Sequence, residues 1–324
     1  MERILILTIR AKGGGAEKII ENLTNSKPSK FEWMHMEKFL DTPFLYRYVK
    51  FIWLIYRAIK CFDKIIIGTE GILGLIVFPF KVFFYKKKFI LWNHCYFEDY
   101  QFFLSKKNRI LYQVSYAMYP LKINASPATK KGVFVPNPYF FNKIHAANHF
   151  TNKKEFTLLS VSSLAKLKRV DLTIKLLAEL PEEFSLNIFG DGVERNNLEH
   201  LVDEIGVRDR VQFLGFAKNP FYLYTCRARI LIINSQTEAL PTIILEAIEH
   251  SVPVIVRAYI GAEYWQKLKT VFILEDITSN LTLDIVSYFN KLSENEYVAL
   301  FGHDLHILKK KHDYSYFMSQ LDAF

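Results

Sequence analysis

Asn234-Ser235-Gln236-Thr237-Glu238-Ala239-Leu240-Pro241-Thr242-Ile243-Ile244-Leu245-Glu246-Ala247 is the stretch from which the organisation of this chain is best read. An apolar run at 230–233 enters it as a strand, Pro241 suits the first turn of a helix, and Ser251-Val252-Pro253-Val254-Ile255 leads back into a strand. Two carboxylates thus stand eight positions apart, Glu238 in the loop after a strand and Glu246 inside the following helix, where both can face one crevice. Carboxylates accept hydrogen bonds from sugar and ribose hydroxyls, and N–H groups near Thr242 and Ile243 can meet phosphate. Spacing alone favours a solvent-exposed glutamate pair; the strand-loop-proline-helix setting shifts the reading toward a ligand.

Outward from this stretch the same rhythm repeats. Short apolar runs at 156–162, 186–189, 211–214 and 253–256, and in the first half at 4–9, 64–67, 89–92, 122–125 and 132–135, alternate with helical patterns, the first starting at Ala16. Strands separated by helices predict βαβ units and parallel sheets, hence an α/β fold. Val135-Pro136-Asn137-Pro138 then stops regular structure, because each proline fixes φ and biases its predecessor away from helix. At 324 residues the chain can bury two cores. The expected division is a first domain at 1–145 and a second at 146–309, with a C-terminal aromatic helix within 310–324 whose allegiance the sequence leaves open, packing back on the first being one alternative.

Half of the residues are hydrophobic and 23% are charged, close to globular averages, so no long disordered tail is expected. Cys61, Cys95 and Cys226 form no CxxC pair, which argues against a disulfide framework or a zinc site and suits a reducing cytoplasm. The apolar run after Arg3 is too short for a signal peptide, and the longest uncharged apolar stretch, 71–80, is too short for a membrane span. The net charge of +9 suits nucleic acid, an anionic membrane or a phosphorylated ligand. No nucleic-acid-binding module accompanies it, so no nucleic acid partner is expected.

Other strand ends carry candidate chemistry. Lys12-Gly13-Gly14-Gly15-Ala16-Glu17-Lys18 feeds a glycine turn into a helix, which lets a ligand approach backbone N–H groups; it lacks GxGxxG spacing, and an ordinary βα turn reads the same way. Lys166, Lys168 and Arg169 follow Ser160-Val161-Ser162-Ser163-Leu164, at the strand end where a diphosphate can bind, although a solvated lysine-rich loop would look alike. Asn187-Ile188-Phe189-Gly190-Asp191-Gly192 marks a tight turn. His94, just after a strand, can meet a sugar or an acceptor, or serve only the core. Arg47, Lys50, Arg57 and Lys60 share one helical face among Tyr46, Tyr48, Phe51, Trp53 and Tyr56, and Lys86-Lys87-Lys88 follows Phe83-Phe84-Tyr85. Such surfaces suit anionic headgroups; a buried aromatic helix with a basic outer face is the alternative.

Taken in this order, these residues resemble the large family of retaining GT-B glycosyltransferases often called family four, over most of the chain. Gly14-Gly15-Ala16-Glu17 looks like its amino-terminal glycine loop, Val135-Pro136-Asn137-Pro138 like the segment before its second domain, and Leu164 with Lys168, Val170 and Asp171 like its donor-diphosphate loop. Gly190-Asp191-Gly192 and Val211-Gln212-Phe213-Leu214-Gly215 resemble its next signature turn and strand, and Glu238 with Glu246 its E-x7-E motif. The family usually carries an arginine where this chain has Ser163, so one phosphate contact is missing or supplied by Lys166 or Arg169.

The resemblance implies two Rossmann-like domains facing each other across a cleft, with the donor on the second and the acceptor on the first. The implied donor site comprises Gly14, Gly15, Ser163, Lys168, Gly190, Leu240, Pro241, Thr242 and Glu246; Lys168 holds phosphate and Glu246 ribose, while Glu238 and His94 lie near the reacting sugar. The expected activity moves a hexose or N-acetylhexosamine, with retained configuration, from a UDP-linked donor to a lipid-linked or cell-surface glycan such as lipopolysaccharide or capsule. It would act peripherally at the inner face of the cytoplasmic membrane, where Arg47, Lys50, Arg57, Lys60, Lys86, Lys87 and Lys88 meet anionic lipid or acceptor. No Asp-x-Asp pair occurs, so neither metal nor cofactor is expected. A sugar-nucleotide epimerase of the same architecture, or a non-catalytic protein that kept the fold, are the alternatives.

Overall fold

The computed structural model describes residues 2–11, 14–39, 43–68, 71–141, 155–222 and 228–324. The chain forms two units, one of Met1–Phe140 with His312–Phe324, the other of Phe141–Lys311. The join expected at 145–146 lies outside the described residues.

In the first unit the elements run β1 (Ile4–Thr8), α1 (Gly15–Ser26), β2 (Phe31–His35), α2 (Phe44–Ile59), β3 (Lys64–Ile67), α3 (Ile72–Phe83), β4 (Lys88–Asn93), α4 (Phe97–Tyr100), α5 (Lys106–Met118), β5 (Lys122–Asn124) and β6 (Val133–Phe134). Every strand pairing is parallel, in the order β2-β1-β3-β4-β5-β6. The period of two explains why these strands read as unbroken apolar runs. Leu5, Leu7, Ile65, Ile67, Phe89 and Leu91 pack under α2, α3 and α5, whereas Ile4, Ile6, Ile66, Ile90 and Trp92 pack under α1 on the other face.

The second unit runs β7 (Phe156–Val161), α6 (Val170–Glu179), β8 (Phe184–Phe189), α7 (Arg195–Glu204), β9 (Val211–Gly215), β10 (Ala228–Ile233), α8 (Ile243–Glu249), β11 (Val254–Arg257), β12 (Val271–Leu274), α9 (Ser279–Asn290) and α10 (Glu294–Lys311). Its sheet is again parallel, ordered β12-β11-β10-β7-β8-β9. The last helix, α11 (Tyr314–Asp322), belongs to the first unit, where Phe317 and Leu321 join Trp92 and Ile4 in the core. Lys64 fixes its end: the buried Nζ donates to the Leu321 carbonyl at 2.7 Å and pairs with Glu2 at 3.2 Å and Asp322 at 3.3 Å.

The strand order locates the crevices. From β7 the chain moves outward to β8 and β9, then returns to β10 on the other side, so the direction reverses between β7 and β10. Ligands of open parallel sheets bind beyond the carboxyl ends of the strands at such a reversal. Here the flanking loops are 162–169 and 234–242.

Candidate functional site

The loop after β7 is built around Leu164, which is fully buried. Its N–H donates to the Asp191 carbonyl at 2.9 Å and its own carbonyl accepts from the Glu194 N–H at 3.0 Å, so the loop lies directly on the turn after β8. Glycine at that turn is a steric requirement. Gly190 has φ 121°, and a Cβ there would lie 1.8 Å from the Ser162 carbonyl oxygen; one on Gly192 would lie 2.4 Å from that of Leu164. Ser163 is exposed at the crest.

A single 3₁₀ turn, Lys166–Lys168, then carries the chain to Arg169, which adopts a left-handed conformation (φ 49°, ψ 43°) and opens α6. The Arg169 guanidinium is held on the Asp171 carboxylate by bonds of 3.0 Å from both Nε and Nη2. Across the reversal point, the Gln236 N–H donates to the Leu167 carbonyl at 2.8 Å and Lys168 Nζ donates to Glu238 Oε1 at 2.5 Å. Lysine and glutamate are both largely shielded, with side chains 19% and 14% exposed. The two residues singled out from separate loops thus form one ion pair at the crevice.

Beyond Glu238 the loop is fixed by apolar anchors, Ala239 and Leu240, both 5% exposed. Thr242 stands at the N-cap position of α8 without a side-chain capping bond, and Pro241 precedes it instead of occupying the first turn: the proline carbonyl accepts from the Ile244 N–H at 3.1 Å. Glu246 lies in α8 and is buried, as is Glu249 one turn later. Tyr259, after β11, is a neighbour that sequence reasoning missed. Burial pushes its hydroxyl pKa up; the hydrogen bond from Trp265 Nε1, at 2.9 Å, opposes this and the nearby Glu238 carboxylate adds to it. Nothing in the linear pattern marks it, because the β11 loop must first fold toward the crevice.

Gly14, Gly15 and His94 lie in the first unit. Gly14 is the extended N-cap of α1 (φ −156°), and Gly14 and Gly15 are exposed; Lys12 and Gly13 lie outside the described residues. His94 follows β4, its ring 4.6 Å from that of Trp92. The residue is partly exposed, yet both ring nitrogens are shielded from solvent. Burial lowers its pKa to about 3, so the imidazole is neutral near pH 7. The unfolded histidine titrates near 6.5. This stabilisation is therefore complete above that pH and is lost as pH falls toward 3, since proton uptake then favours the unfolded chain. Between about pH 7 and pH 4 the urea midpoint should fall more steeply for the native chain than for His94→Asn; equal slopes would contradict the assignment.

The basic residues of the first unit divide. Lys50, Arg57 and Lys60 lie over the rings of Tyr46, Trp53 and Tyr56 at 5.6, 4.7 and 4.1 Å. Arg47 lies in α2, its side chain outside the described residues. Lys86 sits near Tyr85 and Lys88 is exposed at the start of β4. Lys87 is occupied internally, its Nζ donating to the Phe62 carbonyl at 2.5 Å and that of Lys60 at 3.3 Å, just past the end of α2. Among the described residues, no His, Cys, Asp and Glu side chains gather into a metal-holding group, and no helix is long and apolar enough to cross a membrane.

Residues 141–275 match the family model described as glycosyl transferases group 1. An uncharacterized glycosyltransferase of Haemophilus influenzae is 28% identical over 130 residues, 39% of this chain and 36% of that protein. The N-acetylgalactosamine-N,N'-diacetylbacillosaminyl-diphospho-undecaprenol 4-alpha-N-acetylgalactosaminyltransferase of Campylobacter jejuni is 31% identical over 102 residues, 32% of this chain and 28% of that protein. The chain thus matches only 36% and 28% of the lengths of these two relatives. The crystal structure of Anabaena HepE in complex with UDP-glucose superposes over 100% of both chains with a TM-score of 0.78 at 16% identity. That likeness carries the fold: the chain has the two-unit α/β architecture of the GT-B class, and its residues 141–275 are similar to glycosyl transferases group 1.

Proposed function

We propose that this chain is a retaining glycosyltransferase that moves a hexose or N-acetylhexosamine from a nucleotide sugar, UDP-linked by preference, to a lipid-linked or cell-surface glycan of the lipopolysaccharide or capsule kind. It works peripherally at the inner face of the cytoplasmic membrane. The observation that carries the proposal is the Lys168–Glu238 pair at the reversal point of the second sheet. A donor diphosphate entering there takes the Lys168 ammonium as its counter-charge and releases the Glu238 carboxylate to the sugar hydroxyls. Glu246 receives the ribose hydroxyls, with Thr242 and the α8 amino end beside the phosphates. As the glycosidic bond to phosphate breaks, charge grows on the leaving oxygen and Lys168 stabilises it, while the acceptor hydroxyl oxygen bonds to the anomeric carbon from the same face and its proton passes to that leaving phosphate oxygen. His94, being neutral, orients a hydroxyl by hydrogen bonding.

With a cation and helix dipoles offsetting phosphate charge, the reaction needs no divalent metal. The test is a thermal-shift panel of UDP, GDP, CMP and their sugars on the native chain and on Glu246→Gln, with and without chelator. At ligand 100 times Kd one nucleotide class should stabilise the native chain by about 2.7 kcal/mol, less in the variant, and chelator should change neither binding nor transfer. Ser163, exposed where the family places arginine, favours one competing reading, a non-catalytic protein of the same fold. Stabilisation by no nucleotide would decide for it.

A further inference from the structure

Helix α2 carries a second apolar stripe beside the one it buries. Phe51, Ile55 and Ile59 point into the core, fully buried. Val49, Ile52, Trp53 and Tyr56, at the i, i+3, i+4, i+7 spacing of a second stripe, face solvent, with Val49 65% and Trp53 52% exposed. A helix that needed only to close the sheet would carry polar residues there. The stripe does not end with the helix. The Tyr56 ring lies 6.5 Å from Phe80 and 5.9 Å from Phe84, which joins it to the end of α3, where Val82, Phe83 and Tyr85 are exposed, Phe83 to 82%. Contiguous apolar surface of this kind marks an interaction site.

Charge identifies what covers it. Residues 44–62 and 71–97 contain no aspartate or glutamate and eight lysines and arginines. Lys50, Arg57 and Lys60 lie on the stripe with their heads over its aromatic rings, within about 60° of the Trp53 direction. Lys81 and Lys86 stand beside Phe78 and Tyr85 in the same way. A protein partner would require its own acidic face and apolar groove. An anionic bilayer offers both phosphate and hydrocarbon at the depths where lysine heads and aromatic rings settle.

We propose that the outer face of α2, continued by the end of α3, is a docking surface for an anionic phospholipid bilayer, with Trp53, Tyr56, Phe83 and Tyr85 entering the interface and Lys50, Arg57 and Lys60 at headgroup level. It deepens the peripheral attachment proposed above by assigning the residues and the orientation. Crossover helices run antiparallel to the strands they connect, so α2 begins at the carboxyl edge of the first sheet, the edge that carries His94, and α3 ends at the opposite edge. Lying on α2 and α3, the first unit holds its strands along the membrane and opens its carboxyl edge sideways, level with acceptors anchored in the same leaflet. Lys87 takes no part, being bonded to the carbonyls beyond α2.

The test is co-sedimentation with phosphatidylglycerol–phosphatidylcholine vesicles at low salt, with Trp53 emission as a local probe. Trp92 and Trp265 are fully buried, and Trp53→Phe isolates the signal. Binding to mixed vesicles but not to pure phosphatidylcholine, with a blue shift lost in Trp53→Phe, is expected. Lys50→Gln/Arg57→Gln/Lys60→Gln should bind about 100-fold more weakly, while Lys87→Gln should bind as the native chain does and unfold at lower urea. No vesicle binding, an unshifted emission, or full binding by the triple variant would overturn the proposal. So would the same shift produced by an oligonucleotide, or by self-association without vesicles. The nucleotide panel, run on the same variants, reports separately on glycosyl transfer, so either proposal can fail alone.

Discussion

Gly190→Ala is expected to cost at least about 3 kcal/mol of stability, several times what the same change costs at Gly206. Both glycines have positive φ, 121° and 73°, and both would pay for a Cβ in backbone strain, but nothing lies within 4 Å of the Cβ position at Gly206. Strain alone is worth about 1 kcal/mol. At Gly190 the new carbon would overlap the Ser162 carbonyl at 1.8 Å, so the turn after β8 must lift off the loop after β7. The Leu164–Asp191 and Leu164–Glu194 bonds then stretch, and the loop that presents Lys168 loses its support. Urea denaturation of the two variants side by side checks this. Equal losses would mean that the two turns are not packed together as described.

The second large effect falls on activity. Lys168→Met should lower turnover about 100- to 1,000-fold, the usual loss when a group that stabilises developing charge is removed from a shielded site. Part of that loss comes from Glu238, left shielded beside an apolar side chain. Lys168→Met with Glu238→Gln should consequently cost less than the sum of the single changes, because each single variant strands the other's charge. Steady-state kinetics on the three variants give the coupling. Additive losses, or a Lys168→Met variant within tenfold of native in the proposed transfer, would show that the pair does not act as a unit.

Much of the fold was legible because both sheets are buried on both faces, which writes their central strands as runs such as Ile4-Leu5-Ile6-Leu7. The strands left unread, β2 and β12, are sheet edges. Phe31-Glu32-Trp33-Met34-His35 buries only Phe31 and holds a glutamate and a histidine, so it forms no apolar run of the kind that marks the central strands. The loops at the reversal point were legible where they carry unusual residue pairs: Glu238 and Glu246 announced a strand-loop-helix unit, and the lysine-rich loop a strand end. What spacing could not give was pairing. That Lys168 faces Glu238 while Arg169 turns to Asp171 depends on the left-handed turn at Arg169, a conformation that a long side chain does not advertise. Lys87 shows the same limit: in a run of three lysines, the one bonded to backbone carbonyls looks like its neighbours.

The position of α11 sets a schedule for biosynthesis. Phe317 and Leu321 complete a core whose other members, Ile4, Ile66 and Trp92, leave the ribosome first. Between them comes the whole second unit. The early strands must therefore wait with one apolar face incompletely covered while a later unit, self-contained in sequence, can fold ahead of them, reversing the usual order from the amino terminus. The burial of Lys64 adds to the wait, since its ammonium finds the Leu321 carbonyl to donate to only at the end of that interval. Nascent chains halted before residue 314 should expose Trp92 to quenchers and to chaperones, however well the second unit has formed.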